Sequence, residues 1–218
     1  MMRLITLALL AVLLASCTTL ALETPSGVLL DRMTQATVRV ETRGAFGSGV
    51  LVDRRMVLTV GHVFNTPLDT ARVTFENGGS IAGERIFMSH RPDVALIRLD
   101  RDAPFPSVAV ACGRLSLDAP VIVIGHPGPM RWFVGHGYVA STHRALGVPF
   151  DQLVLSVSTI PGASGGPVFD RHGRLRGLIR AGLSRNGILM TGFTLAVPAS
   201  AFCAIPSVRK QISRATGT

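Results

Sequence analysis

Apolar and polar positions alternate with a period of two along much of this chain. In "TVRVET" (37–42) the valines fall on one side and Arg39 and Glu41 on the other, which predicts a strand with one buried face. "GVLVD" (49–53) and "MVLTV" (56–60) flank Arg54-Arg55. "ARVTF" (71–75) and "SIAGERIFM" (80–88) flank "ENGG", a strong turn signal, and "DVALIRL" (93–99) is a mostly apolar run. That makes six predicted strands with no helix among them. A stretch rich in proline and small residues (100–120) reads as a linker. Six further strand-like runs follow: 120–125, 131–141, 151–158, 166–170, 174–182 and 188–197. From Pro198 to about Arg214 the spacing turns helical, with Pro206 interrupting it. Many short strands with frequent turns predict an all-β sandwich or barrels, and six plus six about a linker predicts two small barrels.

Composition adds bounds. The 218 residues are 47% hydrophobic and 16% charged, enough for a real core and unlike a disordered chain. The net charge is +9, but the basic residues are scattered, never more than two together, and there is one Trp and one Tyr. No basic and aromatic interleaving marks a nucleic-acid surface, so no such partner is expected. The opening "MMRLITLALLAVLLASC" has a basic residue, a short apolar run and then small residues before Cys17, the layout of a secretory signal peptide over 1–16. Leu14-Ala15-Ser16-Cys17 resembles the lipobox of bacterial lipoproteins. That resemblance implies a lipid on Cys17, a tether over 17–27, and a place in the cell envelope, on the periplasmic face of the outer membrane where there are two membranes. An ordinary signal peptide and an uncleaved anchor are the competing readings. Cys112 and Cys203 remain, and an oxidising compartment suits a pair.

"PGASGGPVFD" (161–170) surrounds one serine with glycine and proline. It reads as a tight turn or as a loop presenting Ser164 as a nucleophile, with backbone amides converging on a substrate oxygen. A serine hydroxyl needs a base and the base an orienting group. Of six histidines, His62 in "VLTVGHVF" stands where a buried strand ends. His126, in "GHPGPM", reads as a turn residue at the surface or near substrate. Asp93 opens an apolar strand, either to bond its own turn or to orient His62. No H-E-x-x-H or C-x-x-C occurs, so no metal or cofactor is expected.

Taken together, "GSGVLVDRRMVLTVGHV", "DVALIRL", "PGASGGPVFDRHGRLRGLI" and "GFTLAVP" resemble the chymotrypsin-like serine proteases, nearest the bacterial HtrA/Deg-type branch, over roughly 36–200. The resemblance implies two perpendicular six-stranded β-barrels (about 36–100 and 120–197, linker 101–119) and a C-terminal helix over about 198–214, within a domain spanning 28–218. It implies a His62, Asp93, Ser164 triad, an oxyanion hole from Gly162, Ala163 and Ser164, and a substrate pocket near Ser158, Ala181, Gly182 and Gly192. Those pocket positions carry no acid, so cleavage after Lys or Arg is not expected. Arg180 stands beside them without an assigned role. Ala163 replaces the Asp of the digestive branch and the Asn usual in the HtrA branch, so no ion pair to a freed N-terminus shapes the loop. Gly61 stands where Ala or Asn is more usual, and 218 residues leave no room for a PDZ domain. In this fold the C-terminal helix packs back toward the linker, so Cys112 and Cys203 are expected either as a disulfide or as two buried thiols. The expected function is an endopeptidase acting on envelope polypeptides, against a protease-fold binding module or an acyl hydrolase using the same serine.

Overall fold

The computed structural model describes residues 26–142, 151–185 and 188–216. The signal segment, Cys17 and all but the last residues of the tether lie outside these. The first barrel consists of β1 (Thr37–Thr42), β2 (Ala45–Asp53), β3 (Met56–Thr59), β4 (Thr70–Thr74), β5 (Ser80–His90) and β6 (Asp93–Leu99). It closes in the order β1-β2-β3-β6-β5-β4, every adjacent pair antiparallel. The second consists of β7 (Pro120–Gly125), β8 (Phe133–Ser141), β9 (Leu153–Leu155), β10 (Pro167–Phe169), β11 (Leu175–Arg185) and β12 (Ile188–Pro198). It closes in the order β10-β11-β12-β9-β8-β7, again antiparallel. Closure pairs every barrel strand on both sides, which removes the open edge strands of a flat sheet.

The alternation explains which residues fill each barrel. On β1, Val38 and Val40 are buried. β7 is apolar throughout because both its faces are covered: Val121 and Val123 fill the second barrel, while Ile122 and Ile124 join the larger core shared with the first. The linker forms no strand, yet it is laced to both barrels. Val108 N–H donates to Leu51 O at 3.0 Å, and Ala111 N–H to Leu175 O at 3.0 Å.

Three elements depart from the sequence reading. A helix, α1 (Gly27–Ala36), stands where a tether and the domain edge were expected. Ser26 caps it, Met33 and Ala36 are buried, and Thr37 Oγ1 donates to Met33 O at 2.8 Å at its end. Its apolar positions repeat with helical spacing for only ten residues before β1 imposes a period of two. The single C-terminal helix is two, α2 (Ala199–Cys203) and α3 (Pro206–Thr216). Pro206 opens α3 rather than merely interrupting a helix, because its missing N–H would be unpaired there anyway. β9 is three residues long, not eight, since the chain beyond Leu155 turns off to line a cleft. No helix among the described residues is long and apolar enough to cross a membrane.

Candidate active site

β3 delivers His62. The strand ends at Thr59, and Gly61–Val63 form a single 3-10 turn that leaves the imidazole half-exposed. Asp93, the first residue of β6, is buried beside it. Asp93 Oδ2 lies 2.6 Å from His62 Nδ1, and Oδ1 accepts the His62 backbone N–H at 3.0 Å. Two bonds to one residue fix both the ring's position and its tautomer: the Nδ1 proton faces the carboxylate and Nε2 faces the cleft. Burial opposes ionisation of Asp93, but the His62 hydrogen bonds and charge, with the Arg180 guanidinium, outweigh it and hold the carboxyl below its ordinary range. Gly61 allows this close approach, because a Cβ there would come within 3.0 Å of Asp93 Oδ1.

Ser164 lies in the same cleft as His62 and Asp93. The serine hydroxyl donates to the backbone carbonyl of Arg180 at 3.2 Å, and no hydrogen bond joins it to His62. Sequence pattern alone assigns Arg180 no role. It sits at a bulge in β11, where the pairing with β12 slips between Ile179 and Ala181. A bulge aims an extra residue out of the ladder. Here it brings Arg180 Nε to 3.3 Å from Asp93 Oδ2, so histidine and arginine share one carboxylate oxygen.

The loop before Ser164 has a definite orientation. Gly162 has φ +100°, and a Cβ on it would come within 2.4 Å of His126 O. Only glycine fits this conformation and this space. Pro161 O accepts from Gly128 N–H at 2.8 Å, and Ala163 O accepts from Gly166 N–H at 2.9 Å. In a trans peptide the N–H points opposite to the C=O. The amides of Gly162 and Ser164 are therefore directed away from those partners, and among the described residues neither has an acceptor. The Ala163 amide instead donates to Ile160 O at 3.2 Å. Of the three amides expected to converge, two are available and Ala163 is spent within the loop.

The cleft is lined by Thr159, Ile160, Pro161, Ala163, Ile179, Ala181 and Gly182 together with the residues above. Ala181 and Gly182, two of the four positions expected to form a pocket, line this cleft. Ser158 and Gly192 do not line it: Gly192 N–H donates to Ser158 Oγ at 2.7 Å and both are exposed. Thr159 lines the cleft instead, and its hydroxyl is 2.9 Å from that of buried Thr194. Of the two readings of His126, the surface one is overturned. It is fully buried behind the serine loop, not at the surface. Its turn residues Pro127 and Gly128 gave a turn signal, but the ring packs inward against Trp132. Cys112 and Cys203 are joined by a disulfide with Cα atoms 5.8 Å apart. Cys17 lies outside the described residues.

Two closed barrels holding a histidine–aspartate pair and a glycine-flanked serine in one cleft define a class, and the sequence agrees. The trypsin-like peptidase domain pattern matches residues 47–178, which include His62, Asp93 and Ser164, and the chain belongs to that family. "Serine protease HtrA-like" proteins of Staphylococcus aureus, from strains USA300 and NCTC 8325, are 25% identical over 169 residues. The similarity covers 69% of this chain and 22% of each relative, so the chain spans about a fifth of their length. A solved structure titled "Crystal structure of Rv3671c protease, inactive form" shares the fold, with a TM-score of 0.68 at 18% identity, over 88% of this chain and 97% of that one.

Proposed function

We propose that this protein is a serine endopeptidase. The observation that carries the reading is the His62–Asp93 pair at 2.6 Å in the cleft that holds Ser164. The Ser164 hydroxyl rotates from the Arg180 carbonyl toward His62 and attacks the scissile carbonyl carbon while His62 Nε2 takes its proton. Negative charge gathers on the substrate oxygen opposite the Gly162 and Ser164 amides, donors already aimed and needing no reorganisation. Collapse breaks the C–N bond, His62 returns the proton to the leaving amine, and the acyl group remains on Ser164. Water, deprotonated by His62, then releases it. Asp93 stays ionised and stabilises the imidazolium at each step.

The cleft's apolar lining and internally paired Thr159 and Thr194 hydroxyls favour a neutral side chain at the cleavage site. Polypeptides of the cell envelope are the proposed substrates, because the N-terminal segment reads as an export signal ending in a lipidated Cys17. A second reading, a protease-fold binding module, draws on the Ser164 hydroxyl facing Arg180 O and on Arg180 sharing the Asp93 oxygen. A fluorophosphonate probe separates the two. Labelling of the wild type that Ser164→Ala abolishes supports a reactive serine, and a peptide-library digest then distinguishes peptidase from ester hydrolase. An unlabelled, folded wild type would overturn the proposal.

A further inference from the structure

Behind the serine loop runs a buried polar chain that the reaction steps above do not use. Ser48, on β2, is fully buried, as is His126. The Ser48 hydroxyl donates to Gly162 O at 2.8 Å and accepts the His126 backbone N–H at 3.0 Å. It also lies 3.1 Å from His126 Nδ1. A carbonyl only accepts, so the single hydroxyl hydrogen lies toward Gly162. Turned toward Nδ1, it would leave two oxygens facing each other at 2.8 Å without a proton between them. His126 Nδ1 therefore carries the ring proton and donates to Ser48 Oγ. Burial, then the positive charges of Arg39 and Arg131, push the pKa of His126 down to about 3, so the ring stays neutral and keeps this arrangement.

The main chain of Ser48 continues the support. Its N–H donates to Ser164 O at 2.7 Å, and its carbonyl accepts from Thr59 Oγ1 at 2.7 Å. Two residues beyond His126, Gly128 N–H holds Pro161 O. The carbonyls of Pro161, Gly162 and Ser164 are thus all drawn to one side of the loop. Glycine at 162 has many accessible conformations, so something must select one. Ala163 has no carboxylate to do so.

We propose that Ser48 and His126 are positioning residues of the serine loop: the buried chain from His126 Nδ1 through Ser48 Oγ pins the Gly162 carbonyl and, together with the Gly128 N–H on Pro161 O, holds Gly162 in the positive-φ conformation that turns its own amide into the cleft. This rests on the peptidase reading. The chain is uncharged, and its links among the described residues involve no terminal amine.

The test compares Ser48→Ala, His126→Leu and His126→Asn with wild type, rates being taken per titrated serine so that misfolded protein does not count. The readouts are the fluorophosphonate labelling rate and, on a fluorogenic peptide the wild type cleaves, kcat and KM separately. Ser48→Ala is expected to lower labelling and kcat about 10- to 100-fold with KM little changed, less than the roughly 10²- to 10³-fold lost when an oxyanion donor is removed outright, because the Gly162 amide is loosened and not deleted. Asparagine places its Nδ2 where histidine places Nδ1, so His126→Asn is expected to recover most of what His126→Leu loses. Wild-type rates in Ser48→Ala, a loss confined to KM, or equal impairment by Leu and Asn would overturn the inference. Should Ser48→Ala not fold, the Leu and Asn pair decides alone. An inert wild type removes the peptidase reading and this inference with it; a reactive wild type with unimpaired variants removes only the inference.

Discussion

Two oxygens of Asp93 meet three nitrogens: the His62 amide, His62 Nδ1 and Arg180 Nε. Asp93→Asn keeps the shape but lets the histidine turn to the wrong tautomer, so kcat is expected to fall about 10⁴-fold. Ser164→Ala and His62→Ala are expected to lose on the order of 10⁶-fold, with thermal unfolding unchanged within a few degrees. Initial rates on a peptide that the wild type cleaves, normalised to folded protein by circular dichroism and absorbance, check all three. His126 yields a separate prediction in pH. Its pKa lies at about 3 in the folded protein against 6.5 for the free side chain, so the unfolded chain binds a proton that the native state excludes. Stability from this residue is complete above about pH 7 and declines as pH falls toward 3. Between pH 7 and 5 the loss is about 2 kcal/mol from linkage. Urea unfolding at the two pH values should show it in the wild type and not in His126→Leu. Asp93 acts in a different window: its folded pKa is lowered, so its contribution persists above about pH 4 and is lost only below.

Three connections between elements assemble the cleft. The turn after β3 carries His62, the β11 bulge carries Arg180, and the loop before β10 carries Ser164. That loop packs on β2 through a second glycine. Gly165 has φ +84°, and a Cβ on it would come within 2.1 Å of Ser48 O and 2.2 Å of Thr59 Oγ1. Like Gly162, it abuts fixed atoms, here the backbone of β2 and a side chain of β3. Gly165→Ala is therefore expected to cost about 3 kcal/mol or more, combining left-handed backbone strain with displacement of β2. Denaturant unfolding measures the loss, and it should exceed that of Gly44→Ala, which shares the φ of +84° and its strain but whose Cβ would meet open space. The strands themselves were legible because one-sided burial imposes a period of two. The bulge was not, since a one-residue slip in pairing depends on the partner strand and leaves "LIRAG" looking like any apolar run.

Across the whole molecule, the Cys112–Cys203 bridge ties the linker to α2. It spans 91 residues, and closing so long a loop restricts the unfolded chain, for an upper bound of about 4.6 kcal/mol. The double variant Cys112→Ala/Cys203→Ala should unfold at lower denaturant by up to that amount while keeping its kcat, because the bridge lies outside the cleft lining. Alkylation mass shifts with and without reductant check the bonding. Lipid attachment at Cys17 is tested by Cys17→Ala, which is expected to move the protein from the membrane fraction to the soluble one and to lose the acyl mass.

The chain by itself determined the twelve-strand pattern, the serine loop and the histidine at a strand end, because each is local: alternation, glycine spacing and turn residues act over a few positions. It carried α1 only faintly, in a short helical spacing overrun by the strand that follows. Tertiary structure decided what distant residues do together. It paired His62 with Asp93, 31 positions apart, and set Arg180 on the same carboxylate. It placed Thr159 rather than Ser158 in the cleft. It turned His126 inward onto Ser48, 78 positions away. A polar residue in a turn has no local reason to be buried; only closure of both barrels around it excludes the water and supplies the partner that makes burial stable.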